Sequence, residues 1–147
     1  MSLPTEIDFA IVKMGDGEAT ETFTAICGLE DVTINETVNT TDRFVRDCAK
    51  PGEVPQRKVK ANGQQTDITG SGLSNADETV SLRAALGKAK NYTIETYKDD
   101  GTDTGELLGT YTGEFVMTAK NLSLTREGAA SAEITLASNG AVTYAAA

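Results

Sequence analysis

The sequence predicts a mainly β domain, α+β in the strict sense because it carries one short helix. Three observations point there. Apolar residues alternate with polar ones in short runs along most of the chain, as half-buried strands require. Gly, Asn and Asp punctuate those runs at turn-like intervals. One window alone, after Asn75, carries a helical period.

The stretch from Arg57 to Glu95 organises the rest. Before it, Met1 to Glu6 is a polar start expected to be mobile. Ile7 to Met14 alternates at Ile7, Phe9 and Ile11 and predicts a strand ending at the turn Gly15-Asp16-Gly17. Thr22 to Cys27 answers it, Gly28 stops it, and Val32 to Thr41 predicts a further strand. Asp42 to Pro55 mixes charge with Phe44, Val45 and Cys48 and breaks at Pro51-Gly52 and Pro55. It reads as a long loop over about 42–56. Connections of that length without structure of their own are often functional.

Arg57 to Lys60 is the one basic cluster, on a strand with Arg57 and Val59 on one side and Lys58 and Lys60 on the other. A nucleic-acid patch would want more cations and interleaved aromatics. Solvated charges guarding a sheet edge fit better, and an acidic neighbouring subunit is the other partner they could take. Asn62-Gly63 predicts a hairpin turn into Gln64 to Thr69. Gly70-Ser71-Gly72 has neither Walker spacing nor a full G-x-G-x-x-G and reads as a turn before the helix.

Asn75 is a good N-cap, with Glu78 placed for a capping box and Asp77 at the positive helix end. Leu82, Ala85, Leu86 and Ala89 fall at i, i+3, i+4 and i+7, a narrow stripe for docking on a sheet. Gly87 predicts the stop. Tyr92 to Tyr97 is a strand. The acidic tip Lys98 to Glu106 invites a calcium reading, but its spacing fails the EF-hand loop. Leu107 to Lys120 follows as a long strand with bulges or bends expected at Gly109 and Gly113. Leu122 and Leu124 still alternate, Glu127-Gly128 turns, and Ala132 to Ala137 is a clear strand. Asn139-Gly140 predicts one more turn before Val142 to Tyr144.

Composition bounds the function. The 147 residues suit one domain spanning 1–147, long enough to bury roughly 70% of its unfolded surface. At 39% apolar and 5% aromatic, with no Trp, the core should be Val, Ile, Leu, Ala and Thr methyls. No His is present, which removes the commonest general base and metal ligand and any Ser–His–Asp or Cys–His arrangement within the chain. No catalytic, cofactor-binding or metal-ligating constellation is expected, so an enzyme is not. A net charge of −9 repels nucleic acid and anionic membranes; it argues against binding DNA but not against letting DNA pass.

Cys27 and Cys48 read as free, buried thiols of a cytosolic protein, with a structural disulfide as the alternative. The opening residues lack the features of a signal peptide, and no apolar run reaches the ~20 residues of a membrane helix. The Asn-x-Ser/Thr triplets at Asn35, Asn39, Asn91 and Asn121 follow from abundant Thr.

The order Val59-Lys60-Ala61-Asn62-Gly63, Asp67-Ile68-Thr69-Gly70-Ser71-Gly72-Leu73, Arg83-Ala84-Ala85-Leu86-Gly87 and Asn91-Tyr92-Thr93-Ile94-Glu95 resembles the phage tail tube (major tail) protein family of long, non-contractile-tailed phages. Gly109-Thr110-Tyr111-Thr112-Gly113 and Ser131 to Ser138 continue it. No single motif is diagnostic; the resemblance lies in pattern and order. It implies a β-sandwich closing towards a barrel with one flanking helix. It also implies a structural subunit that forms hexameric rings stacked into a hollow tube for DNA. Neighbouring sheets would join around the lumen, and a long loop and terminal arms would reach adjacent subunits. Related tubes of contractile tails and secretion systems remain open.

On this resemblance, Arg43, Phe44, Arg46, Lys50, Arg57, Lys58 and Lys60 are the candidate subunit-interface residues. Further copies of the chain and other tail proteins (tape measure, tail terminator, tail tip) are the expected partners. The virion tail is the expected location, with host cytoplasm during assembly. The competing expectation is a monomeric β-sandwich binding carbohydrate or acting as an adhesin, which would want an exposed aromatic platform or a calcium site.

Overall fold

Strand alternation decides which side chains turn inward. Val12 does so on β1 (Phe9–Gly15), Ile68 on β4 (Gln56–Leu73), Tyr92 and Ile94 on β5 (Ala89–Lys98), Phe115 and Met117 on β6 (Glu106–Ser123), and Ile134 and Leu136 on β7 (Ser131–Ala146). Each is at most 1% exposed, and together they form one hydrophobic cluster. The computed structural model describes residues 2–147; of the expected mobile start, Met1 lies outside them.

With β2 (Phe23–Ala25) and β3 (Leu29–Val45), these strands form one antiparallel sheet in the order β2-β1-β5-β6-β7-β4-β3. The sheet curls over its core until β1 lies against β3, where no ladder joins them. It is a sandwich closing towards a barrel, open at that seam.

The helix docks at one end. The Asn75 side chain accepts the Asp77 N–H at 3.1 Å, capping a 3-10 turn (Ala76–Glu78) that leads into α1 (Thr79–Ala85). Glu78 makes no side-chain cap bond, so the expected capping box is half formed. Leu82 and Ala85 are buried. Leu86 instead turns extended, bridges Met117, and hands over at Gly87 (φ 78°) to β5. Ala89 is therefore a strand residue, and the helix is shorter than its apolar stripe.

Three expected turns are not turns. Gly70-Ser71-Gly72 lies inside β4, paired to both β3 and β7. Glycine is needed at 72 because a Cβ there would run into the Gly28 carbonyl. Asn62-Gly63 also lies inside β4: Asn39 pairs with Gly63 and Thr40 with Ala61, leaving Asn62 as the extra residue of a bulge. At Asn139-Gly140 the β6 ladder passes from Phe115–Ser138 to Gly113–Val142, again a bulge, with Gly140 at φ 115°. In each place the cross-strand ladder outweighs a local turn preference. The expected irregularities at Gly109 and Gly113 do fall beside register shifts.

Both cysteines are free and exposed, correcting the expectation of burial. Ile26 takes the inward position after β2, so Cys27 faces out, and Cys48 lies in the β3–β4 connection.

Candidate assembly surface

β3 and β4 are far longer than the sheet that supports them. β4 pairs with β7 only from Asp67 to Leu73, while its ladder with β3 continues to Val45–Gln56. The pairs from Glu36–Thr66 outward thus form a two-stranded arm, roughly 30 Å long at ~3.3 Å per residue. Every residue from Asn35 to Gln65 except Pro55 is exposed. The expected loop over 42–56 is therefore corrected: Asp42 to Val45 are strand, and the connection is 46–55. The residues at 36–41 and 61–65 were missed as part of this surface. Their signal was a polar, Thr-rich run that never resumes apolar alternation.

At the fork, β4 and β7 separate around a cleft of about 350 Å³ lined by Glu36, Gln64, Thr66, Ser138 and Val142. The Thr66 N–H donates to Ser138 Oγ at 3.0 Å, the last link between arm and body. Beyond it, the outer edges of β4 and of β7 from Asn139 onward are unpaired.

All seven candidate interface residues lie on this arm, and its two faces differ. Arg43 stands directly opposite Lys58, and Lys60 follows on the same face by strand alternation. The other face carries Phe44 opposite Arg57 and Asp42 opposite Val59. Phe44 is 72% exposed and Val59 51%. Arg57 Nη1 lies 3.9 Å from an Asp42 carboxylate oxygen. In the connection, Arg46 Nη1 donates to the carbonyls of Pro51 (2.7 Å) and Glu53 (3.2 Å), and Lys50 reaches Glu53 at 4.0 Å. Arg46 and Lys50 therefore order the connection, whereas Arg43, Lys58 and Lys60 have no ion-pair partner among the described residues.

The β5–β6 tip holds the complementary charge. Asp99, Asp100, Asp103 and Glu106 are exposed there. Hydrogen bonds from the Thr102 hydroxyl and amide hold the Asp100 carboxyl below its ordinary range. No group of side chains able to hold a metal ion occurs among the described residues. No helix there is long and apolar enough to cross a membrane.

The family model described as phage tail tube protein matches residues 9–144. No curated protein sequence matches the chain. Among solved structures, the chain is similar to one from the tail of an empty gene transfer agent particle with C6 symmetry. The TM-score is 0.66 at 21% identity, covering 92% of this chain and 94% of that one. It is similar to a chain of an extracellular contractile injection system sheath–tube complex in the extended state, at TM-score 0.67 and 20% identity over 98% and 93%. It is also similar to the SPP1 tail tube, at TM-score 0.63 and 10% identity over 95% and 77%.

Proposed function

The chain belongs to the phage tail tube protein family, and from that premise we propose that it is the repeating structural subunit of a tail tube. Six copies form a ring, as the C6 symmetry of the gene transfer agent tail suggests, and rings stack into a hollow conduit. DNA passes through the lumen without specific binding, since a chain of net charge −9 repels phosphate. The protein has no catalytic role. It meets tape measure, terminator and tip proteins in the virion tail, having assembled in the host cytoplasm.

The observation that carries this reading is the arm. A two-stranded ribbon is marginally stable alone in water, and an exposed sheet edge is a liability unless something covers it. A neighbouring subunit supplies the missing cover for the arm, the fork and the open edge of β3. A monomeric binding module finds less support: Tyr92 is buried in the core, and Tyr97 stacks on Phe9 instead of joining a platform.

Electron microscopy of the full chain at rising concentration tests the proposal. Rings or tubes of uniform bore are the expected result. A protein that stays monomeric at every concentration, even when offered tail tip complexes as initiators, would overturn it.

A further inference from the structure

Strand directions sort the barrel into two ends. One carries α1, the β1–β2 turn and the 124–130 connection. The other carries the arm, the β5–β6 tip, the start of β1 and the end of β7. Arm and tip sit on opposite flanks of that second end. β7 separates β4 from β6 on one side, and β1 lies between β3 and β5 on the other.

Charge divides the same way. Between Asp42 and Lys60 there are six of the chain's 13 Lys and Arg, although the chain as a whole is acidic. Like charges directly opposite across a ladder destabilise it. Arg43 and Lys58 nevertheless face each other, with Lys60 beside them and no carboxylate in ion-pair range. Within one copy this face is a defect; it asks for anions from outside. The tip supplies them: Asp99, Asp103 and Glu106 are exposed, and none is ion-paired among the described residues. The Asp8 carboxylate adds charge and holds the tip by accepting the Asp99 N–H at 2.8 Å.

We propose that the cationic face of the arm, Arg43, Lys58 and Lys60, docks on the acidic β5–β6 tip of the adjacent copy in the same ring. This deepens the tube-subunit reading and rests on it. Opposite flanks at one level make a head-to-tail contact of the kind that closes a ring when the rotation fits. Exposed charge pairs add little stability singly, but a complementary set steers encounter and selects register. Ring assembly should therefore be sensitive to salt.

A charge swap tests the contact. Lys58→Glu with Lys60→Glu places acid on both surfaces, and Asp99→Lys with Asp103→Lys places base on both. Each pair should raise the concentration needed for ring formation by about tenfold or more, and the fourfold variant should return to within about threefold of wild type. All four side chains are exposed, so each monomer should melt like the parent, and the melt confirms it. A fourfold variant that assembles no better than the weaker pair, or pairs that assemble like wild type, overturns this contact while leaving the tube reading intact. A wild-type chain that never forms rings overturns both.

Discussion

The Tyr92 ring meets Phe115 edge-on, with 6.1 Å between centroids and 81° between planes. Both side chains are fully buried, and the pair joins β5 to β6 at the centre of the cluster. Phe115→Ala should cost about 3–5 kcal/mol, the usual range for an emptied aromatic site, measured by urea denaturation. The Tyr92 hydroxyl is buried without a hydrogen-bond partner. An unsatisfied buried donor is a cost, so Tyr92→Phe should hold or raise the melting temperature; a marked fall would show that the hydroxyl is bonded.

Alkaline pH should weaken the fold through two tyrosines. The Tyr97 hydroxyl donates to the Glu95 carboxylate. That bond first, then burial, pushes its pKa up from 10.0 to about 12. Burial pushes Tyr92 from 10.0 to about 12 as well. Both groups keep their protons in the folded state where the unfolded chain loses them. Their contribution is complete below pH 10 and is lost as pH rises through 12. Denaturation midpoints measured across that window should fall, and Tyr97→Phe should flatten part of the slope.

Gly72 is fixed by a backbone contact rather than by its conformation. A Cβ there would meet the Gly28 carbonyl oxygen and lie 2.8 Å from the Glu30 nitrogen. Gly72→Ala should destabilise by about 1–3 kcal/mol, as overpacking does, read from a chemical melt. By contrast, an added Cβ at Gly52 in the arm connection meets nothing within 4 Å, so Gly52→Ala serves as the neutral control.

Removing Asp42–Pro55 should separate assembly from folding. Thr41 pairs with Lys60, so the deletion leaves Gln56 to Val59 as a four-residue hairpin loop of a common length. The arm contributes nothing to the buried cluster, so the melting temperature should stay within a few degrees while polymerisation is lost. Tubes from this variant, seen by microscopy, would sink the role given to the arm.

The thiols offer an independent probe of the same surface. Cys27 and Cys48 are free and exposed, so both should react with a thiol reagent in the native monomer. Cys48, on the arm connection, should become protected in assembled tubes; equal reactivity in monomer and tube would place the connection outside the interface.

Alternation by itself determined the mainly β class, the inward face of Tyr92, Ile94 and Thr96, and the capped helix with its stop at Gly87. Those features depend on neighbours within a few residues, and local spacing records them. On β1 alternation pointed to Ile7, Phe9 and Ile11, whereas Val12 is the residue the sheet buries and Ile7 is exposed. The absence of His took away the commonest general base and metal ligand, and the acidic balance set the expectation against nucleic-acid binding, both without any coordinates. Tertiary structure alone decided that Asn62-Gly63, Gly70-Ser71-Gly72 and Asn139-Gly140 run on as strand, because distant partners supply ladder bonds that outweigh a turn preference. It alone decided the arm as well. Where β4 leaves β7 is a long-range pairing event, and only there do Arg43 and Lys58 become opposed charges on an unsupported ribbon.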